Sequence, residues 1–382
     1  MRKLFFISCV LSLSLFAEAK TITLTKNYYA DASQLGCLPG DTLLMNTSRA
    51  SLYLANVHGD AGKLIVIMPA PGASIFGVDS RSFKLEVSGS SFFKVVGFDV
   101  RGNGPGTGAG GCKFYYDTDF DVTDMYIHNV DRAGLILKND PNPADPKTYY
   151  PVIIKNVRLI NIVVDTCQNE GFYIGSTKDS LNGKKNSPIV GIQIKNCAAK
   201  HTGWDGVQVT NSTNIDLNGL LAIDNGTLRQ QYQQSNVTIQ DATTGSFRNI
   251  KIDGGTATGL FIFSRGIVTL DNVRISNVQN GIFIDNRSDW GYNLPAQQLI
   301  ASNIYIVGSG PGYPLYYGNT NPKPIPGTVT NFVYDKSLWG KPLSDPYNKY
   351  VILPIKTLLF QFIDELNKKT YKIFSDSTWT TQ

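Results

Sequence analysis

The sequence predicts an all-β chain folded as a parallel β-helix, with coils of about 22–23 residues and a short C-terminal helix/strand cap. Three observations predict it. A glycine-led strand recurs, reading Gly-Leu-Ile-Leu from Gly134, Gly-Phe-Tyr-Ile from Gly171, Gly-Val-Gln-Val from Gly206, Gly-Leu-Phe-Ile from Gly259 and Gly-Ile-Phe-Ile from Gly281. An asparagine-led strand alternates with it, starting at Asn156, Asn196, Asn249, Asn272 and Asn303, and Gly219 fills the same slot. The composition, with 19 Tyr, 19 Phe and 36 Gly against 4 Met, favours strands and tight turns over helices.

The spacings set the coil length. Gly259 to Gly281 is 22 residues and Asn249 to Asn272 is 23, while longer gaps coincide with breaker-rich insertions at 139–151 and 177–188. Strands of three or four alternating residues cannot bury a face alone, but stacked as coils each buries its inward residues against the coils above and below. Asparagine recurring at one turn has a mechanism, because its side-chain amides can bond from coil to coil while it tolerates a left-handed backbone. The period is too long for a hexapeptide helix, and the units lack the helical segment of a leucine-rich repeat.

The chain divides into three parts. Arg2 and Lys3, the apolar run Leu4–Phe16 and Ala17-Glu18-Ala19 read as a signal peptide over residues 1–19, so the mature chain is expected to be secreted, whether periplasmic or extracellular. The β-helix domain is expected over 20–335. After it, Leu358, Leu359, Phe362, Ile363 and Leu366 at helical spacing, then Tyr371-Lys-Ile-Phe, mark 336–382 as a capping segment that covers the open end of the solenoid. The small positive charge argues for no particular partner. The basic residues are scattered without the long run that nucleic-acid binding would need, so no nucleic-acid partner is expected, and no second apolar run suggests a membrane span after cleavage. A monomer is expected. Cys37, Cys112, Cys167 and Cys197 survive cleavage without C-x-x-C spacing and admit three disulfide pairings, or none, and Cys197 reads as a small buried hydrophobe.

A family resemblance covers about residues 20–335. Leu38-Pro39-Gly40-Asp41-Thr42-Leu43, then Lys63-Leu-Ile-Val-Ile and Phe93-Lys-Val-Val-Gly-Phe-Asp-Val, resemble the first coils of secreted right-handed parallel β-helix proteins of the pectate-lyase-like superfamily. Asn169-Glu-Gly-Phe-Tyr-Ile-Gly and Thr202-Gly-Trp-Asp-Gly-Val-Gln-Val resemble segments of a bacterial subgroup, mostly of unassigned function. The resemblance implies the right-handed fold. It does not carry an activity, because the catalytic motifs of pectate lyases proper and the paired-Asp and Gly-His-Gly signatures of polygalacturonases are absent.

Strand alternation sorts candidate site residues. In the glycine-led strands Leu135, Phe172, Val207, Leu260 and Ile282 should point inward. Ile136, Tyr173, Gln208, Phe261, Phe263 and Phe283 then point outward, where exposed aromatic rings suit the C–H faces of sugars. Glu170 and Asp205 each precede the strand glycine in neighbouring coils, so they are expected about 5 Å apart. Such a pair can share a proton and supply a general acid, hold Ca²⁺ if further oxygens converge, or merely cap turns. Lys200 and His201 follow as bases for abstracting a carbon-bound proton, Trp204 as a sugar platform, and Arg265 and Arg287 as a guanidinium clamp for a carboxylate or sulfate.

Two functions compete on this reading. The first is a secreted enzyme that cleaves an acidic polysaccharide as a polysaccharide lyase or a glycoside hydrolase, using Glu170, Asp205, Lys200 and His201, with Tyr173, Trp204, Gln208, Phe261, Phe263, Phe283, Arg265 and Arg287 binding substrate. The second is a non-catalytic glycan-binding or surface/matrix β-helix. The sequence marks no certain cofactor for either, with Ca²⁺ an option. The insertions at 139–151, 177–188 and 225–235, expected around Glu170 and Asp205, tilt the balance toward the enzyme.

Overall fold

Two long parallel sheets wrap one continuous hydrophobic core. The computed structural model describes residues 18–341, apart from 26–28, 79–81, 105, 107, 139–152, 177–179, 182–183, 186–188, 232, 257, 265, 286–297, 308–309, 318–327, 335–338 and 340. Nearly all of the expected signal peptide and of the expected cap therefore lies outside the described residues. The first sheet runs from Thr21–Leu24 to Val329–Tyr334, and the second from Tyr29–Asp31 to Leu315–Tyr317. Every pairing between coils in these two sheets is parallel, as in Gln193–Thr202 against Ile215–Ile223 and Phe172–Ile174 against Val207–Thr210. No helix occurs among the described residues.

The long strands of the first sheet bend into two legs at a left-handed position that they share from coil to coil. The pairing register aligns Gly97, Asp124, Asn161, Asn196, Gly219, Asn249, Asn272, Asn303 and Asn331 in one column, all with φ between 49° and 89°. The expected coil-to-coil bonds are present: Asn249 Nδ2 donates to Asn218 Oδ1 (2.6 Å), Asn272 Nδ2 to Asn249 Oδ1 (2.8 Å) and Asn331 Nδ2 to Asn303 Oδ1 (3.0 Å). One assignment is corrected. Asn156 belongs to a different turn column, aligned with Asp119 and bonded to it at 2.6 Å, and Asn161 occupies the slot expected for it. The error is physical in origin, since every coil has several left-handed turns and asparagine suits each of them.

The recurring glycine has a steric cause. Gly111, Gly134, Gly171, Gly259 and Gly281 sit where the chain enters the second sheet, facing the inward column of Ile127, Val164, Ala199, Ile275 and Ile306 on the opposite leg. A Cβ on Gly134 would lie 2.3 Å from Val164 Cγ1, and one on Gly259 2.6 Å from Ile275 Cγ2. The glycines bring the two sheets into contact at this corner. The residue after each glycine then points inward as expected: Leu135, Phe172, Val207, Leu260 and Ile282 are all at most 1% exposed. Aromatic rings stack inside the early coils, Phe93 on Phe120 at 4.7 Å and 5°. Cys112, Cys167 and Cys197 are buried, Cys37 is half-buried, and all four are free thiols.

Candidate functional site

Glu170 and Asp205 occupy one column at the entry to the second sheet. Gly134 N donates to the Glu170 carbonyl and Gly171 N to the Asp205 carbonyl, both at 2.9 Å, which fixes the two residues one coil apart as expected. Both carboxyls are buried, at 3% and 0% exposure. Gln233, from the 225–235 insertion, closes over them: its Nε2 donates to Glu170 Oε1 (3.1 Å) and Gln208 Oε1 (3.4 Å). Asp205 Oδ1 accepts from Ser235 N at 2.8 Å. Asp205 Oδ2, Gln208 Nε2 and the Thr238 hydroxyl are buried beside it without a hydrogen bond of good geometry.

Burial dominates the proton chemistry of the pair. It pushes Glu170 up to about 7, against the pull of its own backbone amide and the Lys138 ammonium. Asp205 is pushed well above the usual carboxylate range, again by burial first, with the Ser235 amide and the Thr238 hydroxyl opposing and the Glu170 charge reinforcing it. The pair can hold protons near neutrality, but it is sealed. Gln208 likewise points outward from the sheet yet is fully buried, contrary to its expected role on an open sugar-binding face.

Lys200 and His201 are not brought to this pair. The register places them on the outward side of the second leg of the first sheet, at the end of Gln193–Thr202, with Asp165 the neighbour of Lys200 one coil away. His201 Nδ1 bonds Asp165 Oδ1 at 2.8 Å. Tyr126 and His128, from Thr118–Val130, stand on the same face, stacked at 4.3 Å and 13°, and His128 Nε2 bonds Asp99 Oδ1 at 2.9 Å. Sequence reasoning missed Tyr126, His128 and Asp165. The 36-residue separation of Asp165 and His201 spans an insertion, so the coil-to-coil alignment that would reveal the pair is hidden in the spacing.

The outward aromatics form a row, and it is less exposed than expected. Phe261 (8%) and Phe263 (6%) are buried together with half-buried Phe283 in a small cluster outside the main core. The row continues from Phe261 to Phe283 (5.2 Å), Tyr316 (4.8 Å) and Tyr313 (4.7 Å), and Lys341 Nζ lies 4.9 Å from the Tyr313 ring centre. Alternation gives facing and not cover, which is why it places these rings outward without showing that neighbours bury them. Tyr173 is half-buried with Lys138 Nζ 4.7 Å from its ring, and Trp204 is half-buried at the corner between the sheets. Arg265 and Arg287 lie outside the described residues.

Two adjoining grooves open along that corner. One, about 750 Å³, is lined by Arg229, Gln234, Thr256, Asn277 and Gln279 among others. The next, about 290 Å³, shares Gln279 and Pro311 with it and adds Asn280, Phe283, Tyr313, Tyr316 and Lys341. Among the described residues the lining combines amides, aromatic rings and two cations, Arg229 in one groove and Lys341 in the other, with no carboxylate. Neither groove reaches Glu170 or Asp205. Among the described residues no group of three or more His, Cys, Asp or Glu side chains converges to hold a metal ion.

No family sequence model matches the chain. No curated protein sequence is significantly similar to it. Its three-dimensional likenesses include polysaccharide lyases, glycoside hydrolases and bacteriophage tailspike proteins. Pectate lyase Pel9A aligns with TM-score 0.52 and 13% identity over 80% of this chain and 79% of that one. The alginate lyase from Paenibacillus sp. str. FPU-7 aligns with TM-score 0.47 and 15% identity over 81% and 97%. The catalytic domain of a GH87 alpha-1,3-glucanase aligns with TM-score 0.47 and 11% identity over 88% of this chain, which spans only 63% of that domain. The likeness to Pel9A and the paired parallel sheets define the class: the chain has the right-handed parallel β-helix fold, the fold it shares with Pel9A.

Proposed function

We propose that this chain is a secreted, monomeric, carbohydrate-active protein that holds an acidic polysaccharide along the corner between its two sheets and cleaves it. One observation carries the reading: the two joined grooves present stacked Phe283, Tyr316 and Tyr313 beside a run of amides, with Arg229 in one groove and Lys341 in the other and no carboxylate among the described lining residues. Aromatic faces suit sugar rings, amides suit hydroxyls, and the two cations suit an anionic chain. The enzymes Pel9A and the Paenibacillus alginate lyase, which share the fold, are named for acidic polymers, and that agrees with the reading without carrying it.

The sealing of Glu170 and Asp205 favours a second reading, a glycan-binding module without catalysis, because the best-placed carboxyl pair cannot touch a sugar. A panel of acidic and neutral polysaccharides separates the two. Binding with new reducing ends, with or without the ultraviolet absorbance of an unsaturated uronate, supports the enzyme. Binding in silence supports the module, and an absence of binding across the panel overturns both. Secretion is tested separately, by sequencing the amino terminus of protein recovered outside the cytoplasm, with Lys20 expected as the first residue.

A further inference from the structure

Four side chains on the outward face of the first sheet's second leg have the arrangement of a proton-transfer site, and the groove does not use them. The register aligns His128, Asp165 and Lys200 in one outward column over three successive coils, and Tyr126 in the neighbouring column of the His128 coil. His201 follows Lys200 in a left-handed turn (φ 52°), which swings its ring back over Asp165. Asp165 Oδ1 accepts from His201 Nδ1 and from the Thr166 hydroxyl (3.1 Å). A carboxylate at Nδ1 assigns the proton to that nitrogen and leaves the lone pair on Nε2. The imidazole is half exposed, at 52%, so Nε2 can meet a ligand.

The neighbours divide the remaining roles. The Tyr126 phenol is held in its protonated form, first by burial and then by the charges of Asp165 and Asp99. Lys200 is the half-buried cation beside Asp165. His128 has both nitrogens engaged, Nε2 by Asp99 and Nδ1 by the Asn129 amide at 3.3 Å, and serves to hold the Tyr126 ring. Arg101 is turned onto the Phe76 ring at 5.0 Å. His201 also belongs to the column of left-handed residues that continues through Asp224 and Gly254 to Asn277, which lines the larger groove. Three coils separate His201 from Asn277, roughly 14 Å at the spacing of paired strands.

We propose that His201, oriented by Asp165, together with Tyr126 and Lys200 forms a β-elimination site for uronate residues of a polymer lying along this corner. The proposal rests on the acidic-polysaccharide reading. His201 Nε2 takes the proton from the ring carbon next to the carboxylate, while the Lys200 ammonium neutralises that carboxylate as charge builds on it. The freed electron pair forms the carbon–carbon double bond as the neighbouring carbon–oxygen bond to the leaving sugar breaks. The leaving oxygen takes the Tyr126 hydroxyl proton, and the phenolate recovers a proton from the imidazolium through solvent. One glycosidic bond becomes one unsaturated uronate and one hydroxyl, with no water consumed and no oxidant or reductant required.

The test uses the purified protein with polygalacturonate and with alginate, recording ultraviolet absorbance for elimination and polymer depletion for binding. The wild type is expected to bind and to generate absorbance. Tyr126→Phe and His201→Asn should each lose at least about 100-fold in kcat with binding and thermal midpoint retained. Lys200→Met should lose rate in the same way. Asp165→Asn, a positioning change, should lower kcat with KM little altered. Wild-type binding without absorbance, or full rates in the Tyr126 and His201 variants, overturns the proposed site while leaving the glycan reading intact. An absence of binding to either polymer overturns the acidic-polysaccharide reading and this site with it.

Discussion

Gln233 reaches from the 225–235 insertion to donate to Glu170 Oε1 at 3.1 Å, two coils away from its own strand, and in doing so covers a carboxyl that prefers to keep its proton. The consequence is a pH-dependent cost. In the unfolded chain Glu170 titrates near 4.5, whereas in the fold it holds its proton up to about 7. Between those values the folded state binds the extra proton, so stability falls as pH rises through the window and the loss is complete above it.

Glu170→Gln removes that cost while keeping an acceptor for Gln233. The variant is expected to be more stable than the wild type at about pH 8, by up to roughly 3 kcal/mol, with the difference vanishing toward the unfolded value. Denaturant unfolding of both proteins across this range checks it. A variant equally destabilised at both ends would show that the carboxyl is needed for its shape and not penalised for its charge.

The glycine column gives a sharper steric prediction. A methyl on Gly134 meets Val164 Cγ1 at 2.3 Å and the Gly171 carbonyl oxygen at 2.7 Å. Gly134→Ala is therefore expected to cost about 3 kcal/mol or more in chemical unfolding. Adding Val164→Ala should recover only part of the loss, because the carbonyl oxygen belongs to backbone that cannot step aside. Full recovery in the double variant would mean that the corner is set by the Val164 side chain alone.

At Asn249 two effects are separable. Its backbone is left-handed (φ 55°), and its amide both donates to Asn218 and accepts from Asn272. Asn249→Ala loses both, for an expected 2–3 kcal/mol, roughly. Asn249→Gly keeps the turn and should retain about 1 kcal/mol of that in equilibrium unfolding. If glycine and alanine prove equal, the ladder bonds carry the whole effect.

These two columns are what made the fold legible. Gly134, Gly171, Gly259 and Gly281 repeat because opposing side chains admit no Cβ, and Asn196, Asn249, Asn272 and Asn303 repeat because the turn is left-handed, so local physics wrote the coil period into the residue types. The candidate site was only half legible. Glu170 and Asp205 keep a fixed offset from a repeating glycine, and their stacking followed at once. Asp165 and His201 meet across an insertion that breaks the period, and the burial of Phe261, Phe263 and Gln208 depends on what covers the sheet, which alternation within a strand does not encode.

The free thiols make a prediction about redox state. Burial pushes the Cys37 thiol up to about 11 and the Cys197 thiol to about 12, and Cys112 and Cys167 are raised by the same cause. Thiolates are the reactive form, so none of the four should react quickly with a disulfide reagent in the native protein. Counting thiols in the chain from Lys20 onward should give little reaction before denaturation and four equivalents after it, with no change in the unfolding midpoint on adding reductant. A midpoint that drops with reductant would reveal a disulfide and contradict the structure.

The groove itself is tested by separating its aromatic floor from its cations. Tyr316 stacks on Phe283 at 4.8 Å and on Tyr313 at 4.7 Å, so Tyr316→Ala removes the centre of the platform. Without that ring, a sugar stacked on it forfeits about 1 kcal/mol, or roughly five- to tenfold in affinity for an acidic polymer, and the weakening should persist at high salt. Arg229→Gln and Lys341→Gln act through charge, one in each of the two joined grooves. Each should weaken binding several-fold at low ionic strength and progressively less as salt screens the interaction, while leaving neutral glycans unaffected. The contrast is the decisive part. If Tyr316→Ala and the two charge variants share one salt dependence, or if none changes affinity, the polymer does not lie in this groove, and the corner between the sheets is not its binding surface.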